Sequence, residues 1–415
     1  MKLKAIELFA GVGGFRIGLN HIKEVDKNGK AIENGAWDFV YSNQYEPATK
    51  KQHAFECYKK RFGDCDNTDI SKVDKSKIPN HHLLTGGFPC QDYSVARTNS
   101  EGLKGKKGIL FWEIAEVLEK KQTPLVLLEN VDRLLKSPTK DRGKDFLIIL
   151  KTFNDLGYNV NWQVINASDY GMPQKRKRVF IFAYRKDIEV DGHLIKKAFP
   201  VKIINKEEHK ENTKFKNFGY MIDGKIIECD VEPIKEKEVT LGNIIKISKK
   251  YNTDLNEYLI EDDKISKWKY LKSRKKIPRI NKKTGKTYTY SEGQMDFPDS
   301  LDKPARTILT SESSMSRTSH IIMDPDLNKY RKLTEIETEL IQGFPVNWTD
   351  SMPKGKRYFT MGNALETGII ERLELYLREI AERIDLWKKD TIFKKEEIFI
   401  IYFLWKIGTQ RFYYL

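Results

Sequence analysis

The chain has 415 residues, 39% hydrophobic and 32% charged, with 74 Lys plus Arg against 59 Asp plus Glu for a net charge of +15. The length excludes a small disulfide-stapled scaffold and allows two or three domains with real cores, and the apolar content excludes a wholly disordered chain. The basic excess points to a polyanion, either nucleic acid or an anionic membrane surface, without choosing between them, and a merely lysine-rich surface would give the same balance.

The elements follow in chain order. From Leu3 to Arg185 short apolar runs alternate with helical patterns: Ala5 to Phe9, Phe15 to Ile22, Phe39 to Ser42, His53 to Phe62 and Leu83 to Thr85. Then come a helix over Ile109 to Leu118, a fully apolar strand Leu125 to Leu128, a helix Lys144 to Leu156 closed by Gly157, and strands at Val160 to Ile165 and Val179 to Tyr184. Such alternation predicts a parallel sheet flanked by helices. Residues 1–185 are therefore expected to form one domain. From about 186 to 300 the pattern fades into Lys-, Asn- and Glu-rich sequence, expected to be a separate smaller domain. Its last part carries Lys264, Lys267, Lys269, Lys272, Arg274, Lys275, Lys276, Arg279, Lys282, Lys283 and Lys286 with no acid before Glu292, interleaved with Trp268, Tyr270, Tyr288 and Tyr290. A nucleic-acid face and a solvated lysine-rich loop both fit that composition. Residues 301–390 regain regular structure, and an apolar face of Ile369, Ile370, Leu373, Leu377 and Ile380 needs a partner surface. Residues 391–415 form an aromatic tail with no evident role.

The cysteines Cys57, Cys65, Cys90 and Cys229 include no Cys-x-x-Cys pair, so reduced thiols and no metal site are expected. The N-terminus lacks the pattern of a secretory signal. The longest apolar run, Ile398 to Trp405, falls short of the roughly 18 residues of a membrane span. A cytoplasmic protein without membrane contact is the expectation.

Four segments carry candidate chemistry. Phe9-Ala10-Gly11-Val12-Gly13-Gly14 closes the first strand, where glycines let backbone approach a nucleotide-like ligand, although a tight turn would use the same residues. Gly86-Gly87-Phe88-Pro89-Cys90-Gln91 follows the strand Leu83 to Thr85, placing a potential nucleophile at the carboxyl end of a parallel strand. Cys57, Cys65 and Cys229 read as core thiols. Glu129-Asn130-Val131 puts a carboxylate at the exit of a buried strand, where desolvation raises its pKa unless a salt bridge or helix cap claims it. Gln174-Lys175-Arg176-Lys177-Arg178 would commonly be a basic turn facing solvent.

In order and spacing these motifs, with Asp69-Ile70, Arg306-Thr307 and Met361-Gly362-Asn363-Ala364, closely resemble the cytosine-C5 DNA methyltransferases over nearly the whole chain except the insert and the tail. The resemblance implies a Rossmann-like S-adenosylmethionine-dependent domain carrying an inserted target-recognition domain. It places the cofactor over Phe9, Ala10, Gly11, Gly13 and Gly14, with Gln44, Tyr45, Asp69, Ile70, Gly87, Pro89, Leu110, Asn363 and Ala364 completing the pocket and S-adenosylhomocysteine as product. The family usually has Glu where Gln44 stands; Gln brings no charge, and Glu46 is a possible substitute. The resemblance further implies that Cys90 adds to cytosine C6, that Glu129 shares a proton with N3, and that Arg176 and Arg178 hold the flipped base. Gln91, Ser94, Arg97, Lys267, Lys269, Arg274, Arg306 and Thr307 would meet DNA. Double-stranded DNA is the implied partner, with monomeric action and a cognate restriction endonuclease expected by family analogy. Methylation of tRNA, a DNA-binding protein without turnover and a Rossmann dehydrogenase are the competing readings.

Overall fold

The computed structural model describes residues 2–88, 110–210, 212–252, 254–281 and 284–384. Strand β1 (Leu3–Leu8) leads through the glycine turn into helix α1 (Gly14–Leu19), and β2 (Trp37–Asn43) is followed by α2 (His53–Phe62). Next come β3 (Leu83–Gly87), α3 (Leu110–Lys121), β4 (Leu125–Val131), α4 (Lys144–Asp155), β5 (Tyr158–Asn166) and β6 (Lys177–Arg185). Strands β2, β1, β3 and β4 pair in parallel in that order, so their carboxyl ends open on one edge. The expected parallel pattern then reverses: β6 pairs antiparallel with both β4 and β5. The short connection between β5 and β6 holds only a 3-10 turn, too little for the crossover a parallel pair requires.

The sheet also runs past the expected boundary at residue 186. After α5 (Leu194–Ala198), strands β7 (Val201–Glu208), β8 (Phe218–Ile222) and β9 (Lys225–Pro233) add to it, giving the order β2-β1-β3-β4-β6-β5-β8-β9-β7. Organisation changes after Pro233 instead. There follow α6 (Leu241–Ser248), α7 (Asp262–Lys272), a two-stranded ribbon of β10 (Lys275–Ile280) and β11 (Thr287–Glu292), a small pair β12 (Ile321–Met323) and β13 (Tyr330–Lys332), then α8 (Glu335–Ile341), α9 (Lys354–Asn363) and a final helix α10 (367–384).

Helices α3 and α4 cover one face of the sheet, burying Phe111, Ile114, Leu118, Phe146, Ile149 and Phe153 against Ile6, Leu84, Val126 and Leu128. On the other face α1 and α10 pack together, with Ile369, Ile370, Leu373 and Leu377 against Phe15, Leu19 and Trp37. Gly18 is required by this packing, since a Cβ there would lie 2.5 Å from Ile370 Cβ. The apolar face at 369–380 thus returns to the N-terminal sheet as its pattern demanded. A third core joins α1 and α2 to α6, α8 and α9 through Ile17, Ala54, Ile244, Ile341, Trp348 and Met361.

Candidate active site

The glycine turn is left-handed at Phe9, Gly11 and Gly13, with φ of +55°, +56° and +87°. Its underside is closed: a Cβ on Gly13 would meet Phe62 Cε2 at 2.4 Å. Above Gly11 there is open space, with no atom within 4 Å of a Cβ built there. Glu7, fully buried beneath the turn, accepts hydrogen bonds from the Phe15 amide and the Tyr58 hydroxyl, each at 3.1 Å. Burial pushes its carboxyl up to about 8, against the opposing pull of Tyr58 and Arg16. Glu7 is absent from the sequence expectations, yet an acid within the apolar run Leu3–Leu8 is a signal visible in the sequence.

Gln44, at the carboxyl end of β2, is buried and accepts the Gly11 N–H through Oε1 at 2.7 Å, while its own carbonyl accepts from Asn67 Nδ2. It therefore holds the first glycine in its left-handed conformation. Asp69 caps the following 3-10 turn, its Oδ1 accepting from Ser71 N and Oγ, and Asn43 Nδ2 ties that loop to β2 through the Thr68 carbonyl. From the far end of the chain, Leu365 packs on Gly14, which brings Asn363 and Ala364 to the same turn. Open space over a fixed glycine backbone leaves room for a cofactor to approach the main chain there.

Glu129 lies on β4 opposite Gly87 of β3, and its Oε2 would be 3.5 Å from a Cβ on that glycine. In the antiparallel register of β4 and β6, Val131 faces Arg178, so Glu129 and Arg178 are diagonal neighbours on one face. Arg178 Nε stands 2.8 Å from Glu129 Oε1. Burial pushes the Glu129 carboxyl up, while Arg178 and Arg176 limit the rise. Asn130 Nδ2 donates to the Phe88 carbonyl at 2.8 Å and so fixes the chain just before Pro89. Arg178 opens on a cleft of about 490 Å³ lined also by Asp132, Asn166, Lys175, Lys177 and Thr307.

The basic run 174–178 is not a uniform solvent-facing turn. Gln174 and Arg176 are buried, whereas Lys175 and Lys177 are exposed. Gln174 Nε2 donates to the Ile341 carbonyl and to Gln342 Oε1. Arg176, expected beside the base, gives its terminal nitrogens to the carbonyls of Ile308, Gly362 and Ala364, fastening the C-terminal segment to the sheet. Arg306, expected at DNA, bonds Asp299 at 2.6 Å and the carbonyls of Thr318 and Ser319, contacts that order its own loop. Thr307 Oγ1 donates to the Lys175 carbonyl at the cleft. Lys267, Lys269 and Arg274 are exposed, and so is Tyr45; Ile70 is buried, and Leu110 begins α3. Pro89, Cys90, Gln91, Ser94 and Arg97 lie outside the described residues, as does the tail 391–415. Cys57 and Cys229 are buried and Cys65 is partly so; burial pushes the Cys57 and Cys65 thiols up to about 12.

The family model described as C-5 cytosine-specific DNA methylase matches residues 3–378. The chain belongs to the C-5 cytosine-specific DNA methylases. It is a DNA cytosine-C5 methyltransferase, and enzymes of this family use S-adenosylmethionine. Among curated relatives, Type II methyltransferase M.Sau3AI of Staphylococcus aureus is 44% identical over 414 residues, covering 91% of this chain and 96% of the relative. Type II methyltransferase M1.ScrFI of Lactococcus lactis subsp. cremoris is 28% identical over 382 residues, covering 92% and 79%. The crystal structure of S. pombe Dnmt2 methyltransferase shares the fold, with a TM-score of 0.57 at 14% identity, covering 91% of this chain and 99% of that one. Among the described residues of this methylase no helix is long and apolar enough to cross a membrane, and no three His, Cys, Asp or Glu are grouped to hold a metal ion.

One prediction arises from the glycine turn of this methylase. Gln44→Ala removes the acceptor of the Gly11 amide and should weaken S-adenosylmethionine binding roughly three- to tenfold, the worth of about one hydrogen bond. Gln44→Glu keeps an acceptor and should bind within about twofold of the parent, on the same reckoning. Calorimetric titration of both variants checks the pair; equal affinity of Gln44→Ala and parent removes Gln44 from the site.

Proposed function

We propose that this methyltransferase is the modification enzyme of a restriction-modification system, acting as a monomer in the cytoplasm on cytosine flipped out of double-stranded DNA. The observation that carries the mechanism is the buried Glu129 carboxyl paired with Arg178 over Gly87, at the mouth of a basic cleft. S-adenosylmethionine, held by the Phe9 to Gly14 turn with Gln44, Asp69, Asn363 and Ala364, supplies an electrophilic methyl group when bound, leaving S-adenosylhomocysteine. The chain's own residues make C5 nucleophilic enough to take it. Cys90 thiolate adds to C6, moving electron density onto C5, while Glu129 gives a proton to N3 and Arg178 steadies the base. Once C5 has taken the methyl group, loss of the C5 proton to solvent, expulsion of Cys90 as thiolate and return of the N3 proton to Glu129 restore the aromatic ring and the enzyme. A stacked base cannot reach these groups, so flipping precedes the chemistry.

We assign catalysis to residues 1–233 and 301–384 and target recognition to the region between them, with Lys267, Lys269 and Arg274 holding phosphates. Single-base sequencing of 5-methylcytosine in DNA from cells that express the protein tests the reading. Methylation at one cytosine of one short sequence is expected; no 5-methylcytosine above the empty-vector control overturns it.

A further inference from the structure

We infer that the β10–β11 ribbon is the element that enters the major groove and reads the target sequence, with its Lys276, Ile280, Thr287, Thr289 and Ser291 face toward the base edges. This rests on the methyltransferase reading and names the part of the protein that meets the substrate's sequence.

The ribbon is a closed excursion from an anchored base. The chain leaves α7 at Lys272 and returns at Met295, whose amide donates to the Lys272 carbonyl at 2.8 Å. Beneath that point Trp268 is fully buried, and buried Lys272 bonds Asp299 at 2.9 Å. Beyond it β10 and β11 pair only with each other, from Lys275 opposite Glu292 to Ile280 opposite Thr287. An isolated two-stranded ribbon is marginal in water, so packing one face on a partner would stabilise it.

Its two faces differ. On one, the side chains engage one another: the Arg279 guanidinium lies 3.7 Å from the Tyr290 ring centre, and Tyr290 donates to Glu292, which Lys275 and Arg317 also approach. These contacts stiffen the ribbon. The other face alternates with it and is exposed throughout, from Lys276 and Ser291 out to Thr287 and Ile280, which is 67% exposed. Lysine and short hydroxyls can bond base edges, and an isolated isoleucine suits a thymine methyl. A major groove of about 12 Å admits a two-stranded ribbon. No acid occurs from Lys264 to Ser291, and Lys276, Arg279 and Lys286 have no acidic partner among the described residues, so the ribbon carries an uncompensated charge of the sign a duplex attracts.

Two variants of the full chain test the inference. One replaces residues 276–291 with a short Gly-Ser turn; the other is Thr287→Ala/Thr289→Ala/Ser291→Ala, which touches only exposed side chains. S-adenosylmethionine titration and thermal melting verify the fold. Selectivity is read by bisulfite sequencing of a randomised duplex library and by binding to target and scrambled duplexes. The ribbon deletion should bind the cofactor like the parent and lose its preference for the target sequence. The triple variant should lose roughly tenfold discrimination at one or more target positions, with scrambled-duplex binding unchanged. An unchanged methylated sequence in the triple variant, or equal loss on target and scrambled duplexes, overturns the inference and leaves the ribbon as a phosphate clamp. Failure of the parent to methylate any duplex is a different result and refutes the methyltransferase reading itself.

Discussion

Cys90→Ala and Cys90→Ser should each reduce methyl transfer by at least about 10⁴-fold, while cofactor and DNA affinity stay within a few-fold of the parent. Cytosine C5 is too poor a nucleophile to take a methyl group until a nucleophile has added at C6, so removing the sulfur removes the activation and not merely part of it. Serine does not substitute, because its hydroxyl is far less acidic than a thiol. The other thiols cannot stand in either: Cys57 and Cys65 are pushed up to about 12 by burial and are neutral at physiological pH, and Cys229 is buried on β9. A duplex carrying 5-fluorocytosine at the target position makes the same point covalently. With fluorine at C5 there is no proton to lose after methylation, so expulsion of the sulfur is blocked and the adduct persists. Peptide mass spectrometry should place it on Cys90. An adduct on Cys57, Cys65 or Cys229, or full activity of either Cys90 variant, would sink the assignment.

The parallel core was legible because Leu125–Leu128 is a continuous apolar run and helices α3 and α4 bury residues at helical spacing. Strands β7 to β9 were hidden for the opposite reason. β7 and β9 lie toward the sheet's outer edge and carry many charged residues, with Ile203 and Ile204 of β7 42% and 58% exposed, while β8 is apolar and mostly buried but only 5 residues long, too short a run to mark a strand by hydrophobicity alone. Asp223-Gly224 was a usable hairpin signal: both residues take positive φ between β8 and β9. The motifs at Glu129 and Arg178 were each visible, but the register that makes them neighbours follows from the reversal of β6, which local patterns do not encode. Arg176 was the hardest to read. Its charge suggests a solvent-facing turn, and carbonyls from Ile308, Gly362 and Ala364, far along the chain, together with the nearby carboxyls of Glu129 and Glu366, make its burial tolerable. Gln44 likewise looked like a ribose contact with a missing charge, and its bond to Gly11 appears only when β1 and β2 are laid side by side.

Glu129→Gln should slow methyl transfer by about 10²- to 10⁴-fold and also change the shape of the pH profile. The protonated carboxyl is the form that can give a proton to N3, and burial favours that form by raising the pKa above its ordinary 4.5. Arg178 at 2.8 Å works in the other direction, holding the group ready to return to the carboxylate once the proton has gone. The sign follows: below the raised pKa the acid is present, and as pH rises through it the rate should fall. Cys90 acts oppositely, since its thiolate fraction grows with pH, so the parent enzyme should show a rising limb from the thiol and a falling limb from Glu129. Glutamine keeps an N–H that can reach N3 but has no proton to transfer, so the variant should retain the rising limb and lose the falling one. Single-turnover rates across the pH range, measured with the same duplex for both proteins, distinguish this from a loss of binding. A falling limb that survives in Glu129→Gln belongs to another group, and an unchanged rate would take Glu129 out of the mechanism.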